Sequence, residues 1–357
     1  MGSLFSINSF LMMNKLFIVL AILFVSMTTV GQQTKGFSIV EKKDKKQVDI
    51  LFNGNLMTAY CYFDSSRKPV LFPVNTVDGI TVTRSYPFQM IAGERTDHPH
   101  HTGIWLNYES VNGLDFWNNS TAIAPEKRDH YGTIIHQKIT GKKRNGNKAS
   151  LSANSIWIRS DKKVLLNEQT TFNFSVKDND FIIDRITKLT ATDTPVVFKD
   201  VKDGMFAIRV ARELELPSKE KSSFVDEKGN ITEVPPSSAG VTGMYYSSEG
   251  LKGDSVWSSK GKWVMLTGKK DGKDITIGMF DHPVNVGYPA YWHARGYGLF
   301  ALNPLGRKIF SNGKEESNFS LQPGQSVTFR YRIVVHSGTA LTKHDMNRFF
   351  ADFEKVK

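Results

Sequence analysis

Short apolar or alternating stretches, separated by polar turns, run along the chain from residue 36 to residue 337. Residues 170–176 (TTFNFSV) alternate polar and apolar positions, which is the period of a strand with one buried face. Turn dipeptides such as Asn53-Gly54 and Asp271-Gly272 stand between the stretches. Many short strands joined by such turns indicate an antiparallel sandwich or barrel. We predict an all-β fold, one large antiparallel β-sandwich, with a supersandwich as one form of it.

A helical period appears only near the C-terminus. Thr342 precedes Asp345 by three residues, as in a capping box. Apolar residues then follow i, i+3, i+4, i+7 spacing, which places them on one side of a helix: Met346, Phe349, Phe350 and Phe353. We therefore predict one C-terminal α-helix over residues 342–356 that docks on the sandwich.

The N-terminal 31 residues have the pattern of a secretory signal peptide. Lys15 precedes the apolar run 16–25 (LFIVLAILFV), and Thr29 and Gly31 are small residues before a cleavage position. A membrane anchor is the alternative, but the run is shorter than the roughly 20 apolar residues of a span. We predict a signal peptide over 1–31 and a single sandwich domain over 32–357. The mature protein is then exported, periplasmic or secreted, with no integral membrane segment.

Composition narrows the function classes. The chain has 46 Lys and Arg against 35 Asp and Glu, but the lysine runs fall on predicted turns, for example residues 142–148. Such runs are typical of solvated hairpin tips, and we expect no nucleic-acid partner. Cys61 is the only cysteine, which excludes an intramolecular disulfide and cysteine-based zinc or iron–sulfur sites.

The richest candidate chemistry is a histidine motif, Asp97-His98-Pro99-His100-His101, preceded by Glu94. In an extended segment His98 and His100 would point to one face and His101 to the other. Two such imidazoles can hold a divalent metal, so His98 and His100 are the metal candidates. Without a metal, the three histidines can act as acid or base near neutral pH. The remaining alternative is a turn whose imidazoles bond the backbone.

A second motif, Asp281-His282-Pro283, repeats the first three residues of that pattern. We predict that His98, His100, His282 and His293 line one pocket, together with Arg295 and at least one of Glu94, Asp97 and Asp281. The catalytic candidates are therefore Glu94, Asp97, His98, His100, His101, Asp281 and His282. The substrate-binding candidates combine aromatic platforms with guanidinium and imidazole groups: Trp105, Trp117, Trp292, Arg209, His293 and Arg295. A core position for each Trp, and a structural ion pair for Arg209, are the alternatives.

Several segments resemble a bacterial exported family of unknown function that carries the label "methane oxygenase PmoA". The resemblance spans residues 45–337, and the histidine motif is its most specific part. Its matching segments are 83–87 (TRSYP), 98–105 (HPHHTGIW), 111–117 (VNGLDFW), 204–210 (GMFAIRV) and 297–300 (YGLF). The resemblance implies an exported β-sandwich protein, closer to carbohydrate processing than to hydrocarbon oxidation.

These features lead to three functional hypotheses. The first is an exported carbohydrate-processing enzyme of epimerase, lyase or hydrolase type, which uses the histidine and carboxylate cluster with or without a divalent metal. The second is a non-catalytic carbohydrate-binding protein with the same cleft. The third is a metal-dependent oxygenase, as the family label says. The expected partner is a small-molecule or glycan substrate.

Overall fold

Two eight-stranded antiparallel sheets form the fold. The computed structural model describes residues 35–218, 221–235 and 238–357, and the predicted signal peptide lies outside them. The first sheet contains, in spatial order, β1 (Phe37–Lys42), β2 (Gln47–Phe52), β3 (Asn55–Cys61), β4 (Val70–Val74), β5 (Ile104–Tyr108), β11 (Gly204–Arg209), β18 (Leu299–Asn303) and β17 (Tyr291–Arg295).

The second sheet is built mainly from long hairpins. Its strands are, in spatial order, β14 (Met244–Ser247), β15 (Trp263–Lys270), β16 (Lys273–Asp281), β20 (Ser326–Ser337), β9 (Asp180–Ala191), β8 (Val164–Lys177), β7 (Lys148–Ile158) and β6 (Thr133–Asn145). Two small two-stranded sheets pair β10 (Val196–Phe198) with β19 (Phe319–Leu321) and β12 (Ser222–Val225) with β13 (Ile231–Val234). Short 3₁₀ turns cover Lys43–Lys45, Pro125–His130, Arg212–Leu214 and Gly253–Val256.

The main hydrophobic core lies between the two large sheets. The ring of Phe206 on β11 stacks on Tyr331 of β20 at 4.8 Å, and Tyr60 of β3 contacts Phe172 of β8 at 5.9 Å. Because strand side chains alternate between faces, each sheet also has an outer face with its own residues. The all-β antiparallel sandwich prediction is confirmed.

Each outer face carries a smaller apolar cluster. On the first sheet this cluster contains Trp105, Trp117, Ala207 and Ala301. On the second sheet the helix α1 (Lys343–Phe353) packs through its apolar side, with Phe353 fully buried. Thr342 and Asp345 form the capping box at the start of α1. The predicted C-terminal helix is confirmed, and it ends at Phe353 where the sequence pattern predicted 356.

None of the helices in the described residues is long and apolar enough to cross a membrane.

Candidate functional site

Most of the candidate site residues lie on the outer face of the first sheet. Strand register aligns four residues in one row across β5, β11, β18 and β17: Trp105, Ala207, Ala301 and His293. The next row along the strands contains Arg209, Leu299 and Arg295. Alanines occupy the centre of the first row, which leaves space above the sheet for loops. The loop that contains residues 97–103 lies at this face, where His101 stacks on Trp105, and Asp203 lies beside His293.

The histidine motif forms a tight turn and not an extended segment. The His101 amide donates to the His98 carbonyl at 2.9 Å, and His98 has a positive φ of 45°. The prediction that His98 and His101 point to opposite faces is therefore wrong. The turn places their rings in a parallel stack, with ring centres 4.8 Å apart. Gly103 ends the loop at φ 57°, where a Cβ would overlap the Leu71 carbonyl oxygen.

Buried Arg84 holds this turn in place. Its guanidinium donates to the carbonyl oxygens of Asp97, His98 and His101 at 2.7–2.9 Å and to the Asp97 carboxylate at 2.8 Å. A buried guanidinium needs acceptors for its charge, and the four acceptors of the Arg84 Nη1 and Nη2 groups all belong to one loop. The loop is thus fixed by charge-assisted hydrogen bonds.

Arg209, on strand β11, also binds the Asp97 carboxylate. Its Nη2 donates to Asp97 Oδ1 at 2.6 Å, and its Nη1 lies 3.3 Å from His101 Nδ1. Arg209 is fully buried and Glu215 also lies within 3.9 Å. The substrate-binding prediction for Arg209 is replaced by the ion-pair alternative, since its charge is already neutralised inside the protein.

Asp97 connects these two arginines to the exposed His98. Burial disfavours the carboxylate, but the Arg209 charge, the His98 hydrogen bond and the Arg84 charge outweigh it and lower the pKa of Asp97. Asp97 Oδ2 lies 3.1 Å from His98 Nδ1. When Nδ1–H faces this carboxylate, His98 Nε2 carries the free lone pair. His98 also stacks on Tyr297, with ring centres 4.9 Å apart.

A second imidazole–carboxylate pair lies on the same face. His293 Nδ1 is 3.5 Å from Asp203 Oδ1, a contact whose geometry does not make a hydrogen bond. Burial, with the Lys202, Arg295 and His98 charges, lowers the pKa of His293 to about 3. Burial raises the pKa of Asp203, Lys202 opposes this, and Asp115 adds to it. His98 acts electrostatically on both partners, so the two pairs share one neighbourhood.

Lys68 is a buried cation at the edge of this face. Its Nζ donates to the His100 carbonyl at 2.7 Å and lies 5.3 Å from the centre of the Trp105 ring. Burial lowers the pKa of Lys68 to about 7 against the opposing Asp115 charge. Burial in turn raises the pKa of Asp115. A lysine so close to neutrality can exchange a proton at physiological pH.

Unpartnered polar atoms concentrate in this region. Buried donors and acceptors are normally satisfied, so each exception calls for an explanation. Among the described residues, seven buried atoms of this face have no hydrogen-bond partner: Arg84 Nε, His100 Nε2, His101 Nε2, Trp105 Nε1, Asn107 Oδ1, Arg209 Nε and His293 Nδ1. Burial is the main cause that lowers the pKa of His100 and His101 well below the usual range.

His282 and Asp281 do not join this site. His282 packs edge-on against Phe353 of α1 at 4.9 Å, on the outer face of the second sheet. Asp281 is fully buried, accepts from Asn285 and from the Ala290 amide, and burial raises its pKa to about 7. The shared-pocket prediction is wrong for both residues. His293 is the histidine of the later segment that reaches the face of His98.

The two Asp-His-Pro segments share a turn and not a site. In each, the amide three residues on donates to the histidine carbonyl at 2.9 Å, from His101 to His98 and from Asn285 to His282. The repeated residues therefore specify a local conformation. Their positions on opposite outer faces follow from the strands that adjoin them, β5 in the first sheet and β16 in the second.

Four further site predictions are corrected, three by burial and that for Glu94 by its hydrogen bonds. Trp105, Trp117 and Trp292 are at most 1% exposed, so none offers a flat face to a ligand. The carboxylate of Glu94 accepts from the amides of Ser85 and Tyr86 at 2.8–3.0 Å, so it braces a loop. Arg295, in contrast, is exposed, and its guanidinium lies 5.9 Å from the centre of the Tyr297 ring.

The described residues contain no group of three or more His, Cys, Asp or Glu side chains arranged to hold a metal ion. His98 and His100 are close, with ring centres 5.6 Å apart, but their rings are nearly perpendicular. The Nδ1 of His98 faces Asp97. In the described residues, therefore, no third side chain joins His98 and His100 as a metal ligand.

Sequence reasoning missed three participants: Lys68, Asp203 and Tyr297. Lys68 and Asp203 each lie beside a Pro or Gly in segments that look like exposed turns. Their burial results from contacts with Trp105 and His293, which are distant in sequence. Tyr297 follows Arg295 by two residues, and that spacing was the one local signal for it.

A family model for DUF6807, a family of unknown function, matches residues 47–351. The chain belongs to this family. The comparisons give nothing for the methane-oxygenase label of the resemblance. No curated protein matches the chain.

Solved structures resemble the chain weakly. The galactosidase domain of an alpha-galactosidase-sucrose kinase has 10% identity and a TM-score of 0.41, over 84% of this chain and 42% of that one. A galactose mutarotase related enzyme from Lactobacillus acidophilus has 8% identity and a TM-score of 0.31, over 86% and 99%. A galactose mutarotase-like protein from Lactobacillus casei has 9% identity and a TM-score of 0.32, over 84% and 100%. Similarities this weak do not indicate a shared activity.

Proposed function

We propose that this DUF6807 protein is an exported carbohydrate-processing enzyme that moves protons on a sugar, as an epimerase, lyase or hydrolase does. One observation carries the proposal. Two imidazole–carboxylate pairs, Asp97–His98 and Asp203–His293, occupy one sheet face among buried polar atoms that no protein group satisfies. Perturbed titratable groups that converge in this way are typical of acid–base sites.

His98 is the proposed base. Its side chain is 40% exposed, and Asp97 orients it through Nδ1. Nε2 is then free to accept a proton from a substrate C–H or O–H group. Arg84 and Arg209 hold Asp97 ionised, which keeps the carboxylate available to stabilise the imidazolium that forms. His101 stacks beneath His98 and fixes the ring plane.

Asp203 is the proposed acid. Its raised pKa favours the protonated form relative to an ordinary aspartate, as proton donation requires. Its side chain is 16% exposed, so a substrate can reach it. Glu109 lies against it, with Oε2 accepting from the Asp203 amide at 3.2 Å, and burial and the Asp203 charge raise the pKa of Glu109.

Tyr297 and Arg295 are the proposed substrate contacts. Tyr297 is half-buried beside His98, and its ring can pack against the C–H face of a sugar. The exposed guanidinium of Arg295 offers a planar pair of donors to hydroxyl or carboxylate oxygens. The non-catalytic binding alternative relied on exposed tryptophans, and it loses that support because the three candidates are buried.

The test is a proton NMR assay in D₂O with a panel of neutral sugars, uronates and their oligomers. Anomer exchange, C–H deuteration, elimination and hydrolysis each give a separate signal. We expect one of them with the wild-type protein, and a loss of roughly 100-fold or more in His98→Asn and in Asp203→Asn. Asparagine tolerates the positive φ at residue 98.

His344→Asn is the matched control, because His344 is exposed on α1 and its loss should leave turnover unchanged. Circular dichroism and melting temperature check that each variant is folded. Full activity in both His98→Asn and Asp203→Asn would remove the proposed site.

A further inference from the structure

A basic groove crosses the outer face of the second sheet beside the end of α1. It has a volume of about 800 Å³ and, besides Arg332, which pairs with Asp184, it is lined by five cations: Lys143, Arg144, Lys148, Lys177 and Lys355. Within the described residues none of these five forms an ion pair with a carboxylate. Two carboxylates line the groove in the described part of the chain: Asp184, which is bound to Arg332 at 2.6–2.9 Å, and Asp352, which has no ion pair there.

The floor of the groove follows from strand register. Neighbouring strands align Lys143, Ser150, Asn173 and Asp184 in one row across β6, β7, β8 and β9. The adjacent row aligns Lys148 with Ser175. Leu151 and Phe172, the chain neighbours of Ser150 and Asn173, belong to the core, so the side chains of these two rows face outward. The described residues give no side-chain hydrogen bond to Ser150, Asn173 or Ser175, and their polar groups face the groove.

We propose that this groove binds an anionic polysaccharide, with the cations on its acidic groups and the Ser and Asn side chains on its hydroxyls. Outside the Arg332–Asp184 pair, five cations facing one carboxylate give charge complementarity to a polyanion. Neutral hydrogen-bonding groups between charged ones match a chain that alternates hydroxyls with carboxylates or sulfates. Nucleic acid fits less well, because Phe174 is the one aromatic residue lining the groove in the described chain and it is 1% exposed.

The groove is separate from the proposed acid–base site. The two lie on opposite outer faces of the sandwich, because the His98 loop covers the first sheet and α1 covers the second. Binding in the groove would hold the protein on a polymer while the other face acts on it or on its products. The inference therefore goes beyond the proposed function and does not depend on it.

The test measures dissociation constants by calorimetry at low salt for oligogalacturonate, chondroitin sulfate oligosaccharides, maltooligosaccharides and oligothymidylate. We expect binding of at least one of the two anionic glycans and none of the neutral maltooligosaccharides. The triple variant K143E/K148E/K177E should weaken glycan binding at least about tenfold. The matched control K45E/K127E/K314E changes net charge equally at exposed lysines elsewhere and should stay within about twofold of wild type.

A second variant separates glycan recognition from attraction to any polyanion. Ser150→Ala with Asn173→Ala should weaken glycan binding roughly threefold or more and leave oligothymidylate unchanged. The variant His98→Asn should bind the glycan normally, so a failed activity assay does not affect this result. Equal losses in the two triple variants, tighter binding of oligothymidylate than of either glycan, or no glycan binding would each overturn the proposal.

Discussion

At the scale of single residues, the candidate site contains imidazoles that burial keeps neutral. His100, His101 and His293 each have a lowered pKa, with burial as the largest cause in all three. A buried charge without a partner is costly, so the folded state binds fewer protons than the unfolded chain once the pH falls below about 6.5. His336 differs, because its hydrogen bond to Asp180 raises its pKa.

Acid should therefore destabilise the fold through these residues. For each neutral buried imidazole, the free energy of unfolding is highest above the unfolded pKa of about 6.5 and decreases by about 1.4 kcal/mol per pH unit below it. For His293 this continues towards its folded pKa of about 3. Urea unfolding between pH 7 and pH 5 should show a smaller decrease in His293→Asn than in wild type. His336→Asn should show a larger decrease, since a raised pKa favours the folded state at low pH.

Should His293→Asn and the wild type lose stability in parallel, His293 would not be neutral in the folded state.

At the scale of elements, α1 is attached by a few large side chains. Phe353 is fully buried, and its ring lies 4.9 Å from both the His282 ring and the Arg332 guanidinium. Met346 and Phe350 pack in the same cluster with Trp263 of β15. The helix therefore covers part of the outer face of the second sheet. The polar loops lie on the outer face of the first sheet.

Phe353→Ala should lower the free energy of unfolding by about 3–5 kcal/mol, the usual cost of a large aromatic cavity. Turnover per folded molecule should be unchanged, because the site lies on the other outer face. Denaturant titration and the NMR assay check the two parts. Val284→Ala, at a residue that is 62% exposed, should cost less than about 0.5 kcal/mol. A loss of turnover in folded Phe353→Ala would contradict this prediction, because it would show that the helix affects the site on the other face.

At the scale of the whole molecule, the chain is a sandwich with two chemically different outer faces. One face has buried acid–base groups, and the other has a helix and a basic groove. Lys35–Lys357 is one compact unit by its contacts. Cys61 is buried, and its thiol donates a hydrogen bond to the Phe72 carbonyl oxygen. Because burial raises the pKa of this thiol, the lone cysteine is protected from oxidation.

The proposed export is tested by N-terminal sequencing of protein recovered from outside the cytoplasm. We expect the mature chain to begin near Gln32, because Lys15, the apolar run 16–25 and Gly31 make a cleavable signal. Recovery of material that still begins at Met1 or Met13 would contradict the cleavage. A variant with Arg in place of Leu20 should remain in the cytoplasm.

The sequence by itself determined the features that depend on near neighbours. Alternation in residues 170–176 predicted strand β8, and the i, i+3, i+4, i+7 pattern with Thr342 predicted α1. Both are local periods, so no distant contact was needed to find them. The histidine motif was also recognised as unusual, but the Pro99 turn overrode the extended geometry expected for it.

The tertiary structure alone decided which polar residues meet. Arg209 reaches Asp97 and His293 reaches Asp203 because β11, β17 and β18 are neighbours in one sheet, a pairing between segments far apart in sequence. The same pairing separated His282 from His98, although their local sequences agree. Strand order depends on which apolar faces pack against each other over the whole chain, and no local pattern encodes that choice.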